Sequence, residues 1–503
     1  MLRLQEEKDI EVLRQAALLL EAENKRLSAQ VVELTRQLMK ARGEDASKLQ
    51  ERLAVVEEQL ARRNHQLFGP STEKEHQPSS GKAPAEKTPR RGHGPREQPE
   101  LLIEPVLHDL DEADKQCPKC GGELKEMVGQ YEEAEEIDVV ERHFVIKKHQ
   151  RKKYRCACNA HIETALGPPK LFEGARYSID FAIEVAVQKY LDHLPLERQV
   201  RIMSREGLIV DSQTLWDYLF ALVRLVMSAY LALLEYLRSR EILGVDESRW
   251  WLLGLNGREC WYVWALAAPD AVGFLIKNSR SAEAAKQVLG DFAGILMADG
   301  YVVYLSLSKN GAAFILVHCW AHVRREFLES EAKFPQAHEV LVLISELYQI
   351  EASCSDESGS ADRRLSERHE KSRPIVDRIK AWALDQKEKV LPESSLGKAI
   401  GYMLRLWEGL IRFLDDPRIP LDNNQTEREL RGVVVGRKNH YGSHSEKGTE
   451  VAAVLYTLTE SAKLVGINPK EYLRMAAMTA LRGERIPLPH EVAAQRRAVG
   501  SNS

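Results

Sequence analysis

No apolar run in the sequence reaches the ~20 residues needed to span a bilayer. The richest stretch, Phe220 to Leu237, is broken by Arg224 and Glu235. No sign of charge dominates either. Seventy-one Lys and Arg stand against 75 Asp and Glu, a formal charge of −4. A globally basic nucleic-acid-binding coat is therefore excluded, and contact with a polyanion must come from local patches. Cysteine is scarce, with 7 in 503 residues, and the odd count argues against a fully paired disulfide scaffold. The first residues, Met1-Leu-Arg-Leu-Gln-Glu-Glu-Lys8, carry acids where a secretion signal needs an apolar core. A soluble, cytoplasmic protein with no membrane partner is expected.

What is present is enough for several cores. The chain is 44% hydrophobic and 29% charged, and its length exceeds the ~250–300 residues at which one core stops growing. The composition and patterning predict a multidomain α+β protein. Its segments are a coiled coil over 1–68, a flexible Pro-rich linker over 69–105, a zinc-binding module over 106–175, a helical region over 176–240, and an α/β core beginning at 241.

Leu13, Leu20, Leu27 and Leu34 recur every seventh residue, flanked by Ile10, Ala17, Asn24, Val31 and Leu38. This is a d-position leucine stripe beside an a-position stripe. An amphipathic helix packed on its own chain would share the pattern. Four leucine heptads with a polar Asn24 at an a position favour a two-stranded coiled coil. Beyond Gly69 apolar residues nearly vanish between Pro70, Pro78, Pro84, Pro89, Pro95, Pro99 and Pro105, so that stretch cannot offset its ordering entropy.

Cys117-Pro-Lys-Cys120-Gly-Gly and Cys156-Ala-Cys158 bracket strand-like residues (Val139-Val140 and His143 to Ile146). A Cys-x-x-Cys turn aims two thiolates at one tetrahedral ion, and the whole reads as a zinc ribbon holding Zn2+. The second pair is tight, with His161 as a substitute ligand. Beside it runs a basic stretch with Lys147, Lys148, Arg151, Lys152 and Lys153 around Tyr154, a surface suited to DNA phosphates. Phe181 to Tyr190 and Leu196 to Arg205 predict helices. A turn at Gly207 and a helix capped by Asp211-Ser212 follow, a helix-turn-helix-like layout.

After Leu243 the period switches to strands, namely Ile242 to Leu253, Cys260 to Leu266 and Val272 to Ile276. A helix from Ser281 to Leu289 follows, then strands Gly294 to Gly300 and Ala312 to His318. Three antiparallel strands followed by helix, strand, helix and strand is the order of the ribonuclease-H-like fold. Asp246 and Asp299 would lie side by side in it, and a divalent metal is a common reason to bring two acids together. Helices over 338–350, 373–382 and 396–413 predict a helical insertion spanning 331–420. Asp422 with Gln425 suggests a capping box that puts Glu427 in a first helical turn. On spacing alone Glu427 is a surface partner of Arg431. The core's second part then runs over 421–485, before a tail over 486–503.

Several blocks resemble the insertion sequence 66 family of DDE transposases. They are Leu67 to Lys74, the cysteine pairs, Val245-Asp-Glu-Ser248, Ala298-Asp-Gly-Tyr301 and His318-Cys-Trp-Ala-His-Val-Arg-Arg325. Asp422-Asn-Asn-Gln-Thr-Glu427, Gly436-Arg-Lys-Asn439 and Ile467 to Leu473 complete the set. Ser248 stands where Thr is usual. The resemblance implies that Asp246, Asp299 and Glu427 are catalytic and hold two Mg2+ (or Mn2+) ions ~3.5–4 Å apart. The implied activity is cleavage and strand transfer at the terminal inverted repeats of a bacterial element into target double-stranded DNA. The assembly would be a homodimer or larger, with element-encoded accessory proteins as further partners. Arg324, Arg325, Arg437 and Lys438 are expected near phosphates, the last two on a turn. Cys319-x-x-His322 has the spacing of half a zinc site whose other half is missing, so packing beside the active site is the favoured reading. The alternative reading is a catalytically inactive, dimeric, zinc-containing DNA-binding regulator.

Overall fold

The computed structural model describes residue 119 and residues 142–155, 161–254, 257–354 and 361–500. The heptad segment 1–68, the stretch 69–105, Val139-Val140 and Cys117, Cys120, Cys156 and Cys158 lie outside the described residues. The elements named below belong to one compact unit that includes residues 143–503.

Residues 142–152 form no regular element, although His143 to Ile146 has strand-like composition. Phe144 instead packs edge-on against Phe181, 6.3 Å between ring centres. A small antiparallel pair follows, β1 (Lys153–Arg155) and β2 (Ile162–Thr164). Next come α1 (Ile179–Tyr190), α2 (Leu196–Arg205) and α3 (Ser212–Arg238). Asp211 caps α3 by accepting the Thr214 N–H at 2.6 Å. The turn before it passes through Gly207 at φ +85°, a backbone region open to glycine. With 27 residues, α3 is apolar and long enough to cross a bilayer. Leu215, Leu219, Leu222, Val226, Leu233 and Leu237 are nevertheless buried in the protein core.

The central sheet has the order β5-β4-β3-β6-β7. Its strands are β3 (Ile242–Gly254), β4 (Gly257–Ala268), β5 (Ala271–Lys277), β6 (Ile295–Ala298) and β7 (Ile315–His318). The first three are antiparallel, while β6 runs parallel to β3 and β7 parallel to β6. Helices α4 (Ala282–Leu289) and α5 (Val302–Lys309) make the crossovers.

Between β7 and the next core helix lies a helical layer: α6 (Trp320–Glu331), α7 (Ala337–Ser353), α8 (Ala361–Glu367), α9 (Arg373–Lys389), α10 (Ser395–Arg405) and α11 (Trp407–Ile411). It has its own apolar cluster around Trp320, Phe327, Ile344 and Ile379. Fully buried Arg368 ties it together from a π-helical turn. Its guanidinium donates to both oxygens of Glu351 and to the carbonyls of Phe413, Asp416 and Ile419. A buried charge is tolerable only when paired and hydrogen-bonded in this way.

The chain returns to the sheet as α12 (Asn424–His440), α13 (Glu446–Leu464), α14 (Pro469–Leu481) and α15 (Pro489–Gly500). Helix α13 is buried nearly all round, as a helix in the middle of a core must be. It also covers the sheet edge. Thr457 Oγ1 and Ser461 Oγ accept the β5 N–H groups of Phe274 and Val272, at 2.8 and 3.0 Å. Those N–H groups would otherwise be open for pairing with another strand.

Candidate active site

Strand alternation sorts the acids of β3. A Cβ on Gly244 would collide with Thr426 Oγ1 and Asn423 Oδ1, so this face lies directly under the start of α12, and Asp246, two residues on, shares it. Asn423 Nδ2 donates to Val245 O at 2.9 Å and Gln425 Nε2 to Ala268 O at 2.8 Å. The expected Asp422–Gln425 capping box is therefore absent. Asn423 occupies the cap position, and Asp422 instead accepts from the N–H and amide of Asn424.

The register of the parallel strands fixes the second acid. Gly244 pairs with Met297, so Asp246 falls level with Asp299, one residue beyond the end of β6. Neighbouring strands lie ~4.8 Å apart. Three contacts hold the loop after β6. Tyr301 N–H donates to Asp299 Oδ1 at 2.9 Å, Gly300 N–H donates to Tyr402 Oη at 3.1 Å, and His318 Nδ1 lies 3.1 Å from Asp299 O. Burial pushes the His318 imidazole below its ordinary range. Tyr402 comes from α10, so the helical layer reaches the site directly.

Glu427 sits in the first turn of α12. The i+4 partner suggested by spacing, Arg431, is not the one it uses. Its carboxylate lies 3.6 Å from His322 Nδ1 and 3.5 Å from Arg325, both on α6. The charges combine at Asp246. Burial first, then the Glu247, Asp299 and Glu427 carboxylates, push its acid up to about 7. Asp299, past the end of β6, and Glu427, on α12, are thus near enough to act on Asp246 electrostatically, as its neighbour Glu247 does more strongly.

Glu247 is adjacent in sequence but does different work. It points to the other side of the sheet, where Arg280 donates to it at 2.7 Å and Tyr304 Oη at 2.9 Å. Arg280 also stacks over Tyr301, 3.8 Å from the ring centre. Glu247 is therefore satisfied by its own partners and ties β3 to the loop carrying Asp299. Nothing in the sequence spacing marks Arg280, Tyr304, Tyr402 or His318 as members of this site.

Cys319 Sγ, His322 and Glu427 lie within 4.8 Å of one another and could hold a metal ion. The half-site Cys319-x-x-His322 thus gains a third member from α12. Burial, however, pushes the Cys319 thiol up to about 12, and its sulfur accepts the Asn423 N–H at 3.2 Å. In accepting that N–H the thiol seats the start of α12.

The other expected contact residues are dispersed. Lys147, Lys148, Arg151, Lys152 and Lys153 are exposed around β1, and Arg151 Nε donates to Ala165 O at 2.5 Å. His161 pairs with Glu163 at 3.0 Å. Arg324 is exposed, whereas Arg325 is engaged by Glu427. Gly436 to Asn439 is helix rather than turn, lying within α12. A cavity of about 370 Å³ lies away from the acids, at the opposite end of α12 from Glu427. It is lined by Lys189, Trp216, Trp250, His440 and Ser445 among others.

The family model described as "Transposase IS66 family" matches residues 174–451, and the model for the zinc-finger binding domain of the same transposases matches residues 114–159. The second match contains all four expected zinc cysteines. Three uncharacterized proteins of Sinorhizobium fredii are similar over most of their length. The chain is 33% identical to y4jD over 393 residues, covering 74% of this chain and 75% of that protein. It is 30% identical to y4qI over 417 residues, 78% and 75% of the two chains. With y4hP the identity is 26% over 482 residues, 88% and 85%.

Proposed function

We propose that the chain, which belongs to the IS66 family of transposases, is a metal-dependent DNA strand transferase with Asp246, Asp299 and Glu427 as its catalytic carboxylates. The observation that carries this reading is the convergence on Asp246, which stands level with Asp299 and feels the charge of Glu427. Three antiparallel strands followed by two parallel ones, in the order β5-β4-β3-β6-β7, support a ribonuclease-H-like core with a helical insertion before α12.

The donor set fits a hard divalent cation. Carboxylate oxygens suit Mg2+ or Mn2+, and Glu427 Oε1 is buried without a hydrogen-bond partner. Three acids crowded together leave Asp246 poised to keep its proton near neutral pH unless a cation joins them. Asp246, Asp299 and Glu427 would hold that ion. Bound there, it would activate a water or a DNA 3′-hydroxyl and stabilise charge on the leaving oxygen. The chain's own groups do the positioning. Tyr301 N–H and Tyr402 fix the Asp299 loop, while His322 and Arg325 steer Glu427. Arg324, exposed beside them, faces phosphate.

The zinc-finger domain is read as holding one Zn2+ through Cys117, Cys120, Cys156 and Cys158. The exposed lysines and arginine at 147–153 would follow the DNA backbone next to it. Residues 1–68 would pair chains, so that two element ends meet two active sites.

The test is cleavage of labelled element-end DNA by purified protein with Mg2+ or Mn2+, with EDTA as control. Asp246→Ala, Asp299→Ala and Glu427→Ala should each abolish cleavage while leaving end binding largely intact. Near-normal cleavage by any one of them overturns the triad. Wild-type protein that binds ends but never cuts them with either metal would make the chain a DNA-binding regulator instead.

A further inference from the structure

Past Gly244 the β3–β4 hairpin projects beyond β6, whose pairing with β3 stops there. Three arginines from three elements gather on it: Arg249 on β3, Arg258 on β4 and Arg437 on α12. Arg258 lies flat over the Trp251 ring, 3.4 Å from its centre. Arg437 Nη1 donates to Ser248 Oγ at 3.1 Å and to the Arg249 carbonyl. Among the described residues, none of the three forms an ion pair with a carboxylate. The nearest acid in sequence, Glu259, accepts instead from Trp261 Nε1 at 3.3 Å. Burial, then the neighbouring charges of Arg249 and Arg258, hold the Arg437 guanidinium below its ordinary range.

Like charges held together without counter-ions oppose folding, and the arrangement is stiff. One guanidinium is stacked on an indole and another is tied to the strand edge. Both keep unused N–H donors, which in Arg present a fork matched to phosphate oxygens.

We propose that Arg249, Arg258 and Arg437 form a phosphate clamp for the DNA backbone flanking the bond that is cut. Ten residues of α12 separate Arg437 from Glu427, which at 1.5 Å per residue is ~15 Å. One DNA strand carries a phosphate roughly every 3.4 Å of axis, so Arg437 would meet the backbone about four nucleotides from Glu427, with Arg249 and Arg258 beyond it across the strand edge. This assignment rests on the catalytic reading above for its register, but the charge cluster and its binding do not depend on cleavage.

The experiment is the salt dependence of binding by the full chain, measured by fluorescence anisotropy on a labelled duplex in EDTA, so that nothing is cut. Each phosphate contact contributes ~0.9 to the slope of log K against log salt. Arg249→Ala/Arg258→Ala should make that slope shallower by roughly 1–2 and weaken binding at least tenfold near ~0.1 M salt. Arg249→Lys/Arg258→Lys should keep most of the slope, because the charge remains. Lys333→Ala/Lys387→Ala, at exposed positions elsewhere, should change neither quantity. Thermal melts establish that each variant is folded. An unchanged slope in the folded double-alanine variant overturns the clamp, as does wild-type protein that binds no duplex. A chain that shows the slope change but never cleaves overturns only the catalytic reading.

Discussion

Glu427 Oε1 stands 3.6 Å from His322 Nδ1, beyond hydrogen-bond length, and both atoms are buried without a hydrogen-bond partner. The acid is therefore steered by α6 but not locked. Arg325, 3.5 Å from the other oxygen and half exposed, supplies the rest of its hold. Two α6 residues that follow β7 thus set where the α12 carboxylate stands.

Groups that orient a metal-binding carboxylate typically cost 10–100-fold in metal affinity when removed. Arg325→Ala and His322→Ala are therefore expected to raise the Mg2+ concentration for half-maximal cleavage by roughly 10–100-fold without unfolding the chain. A titration of cleavage against Mg2+ reads this directly. An unchanged half-maximal concentration in both variants would show that Glu427 does not depend on α6.

The raised acid of Asp246 makes a signed prediction for stability. A carboxyl whose pKa is about 7 when folded and ~3.9 when unfolded binds its proton more tightly in the native state. The stability it contributes is present below the unfolded pKa and is lost as pH rises from about 4 through 7. At ~1.36 kcal/mol per unit, and allowing for its partial exposure, roughly 2–4 kcal/mol is at stake. Asp246→Asn should melt several degrees higher than wild type at pH 8 in EDTA. The difference should shrink toward pH 5. Mg2+ should raise the wild-type melting temperature at pH 8 much more than that of the variant. Equal melting curves at pH 8 in EDTA would mean that the acid is not crowded.

The strands of the sheet and two of its acids were legible because their signals are local. Runs rich in Val, Ile, Leu and Trp mark β3 to β5, and Asp246 and Asp299 sit on or just past such runs. The partners of Glu427 were not, since His322 and Arg325 stand about a hundred residues away and only packing joins them. Tyr402 was invisible for the same reason. Elsewhere local signals misled. Gly436 and Asn439 are turn formers, but a Cβ on Gly436 would strike Tyr456 Oη. That glycine lets α12 approach α13 and does not end the helix. His143 to Ile146 has strand composition but forms no regular element among the described residues, where Phe144 packs against the Phe181 ring.

The cysteines give a chemical prediction. Full-length protein should carry a single tightly held zinc. Cys120→Ser should lose it, since structural zinc sites bind with ~10–16 kcal/mol of apparent free energy through their full ligand set. His161 pairs with Glu163 in an exposed setting, so His161→Ala should leave the zinc content unchanged. Metal analysis after gel filtration decides it. Full zinc in Cys158→Ser would remove that residue from the ligand set and call for another donor.

Assembly is the last expectation. Joining two element ends requires two active sites held together, and the leucines at 13, 20, 27 and 34 offer an apolar seam for pairing chains. Each contributes ~1.5–3 kcal/mol when fully buried against a partner. In such a pair Asn24 should select the parallel register, because mispairing would leave its amide unsatisfied in an apolar seam. Sedimentation of the full chain should therefore give a dimer, and of residues 69–503 a species of lower order. Truncation should weaken the complex containing two ends far more than binding to one end, if single-end contacts come from the zinc-finger and catalytic regions as proposed above. If both forms sediment with the same number of chains, residues 1–68 do not pair them, and their apolar stripe must pack on their own chain.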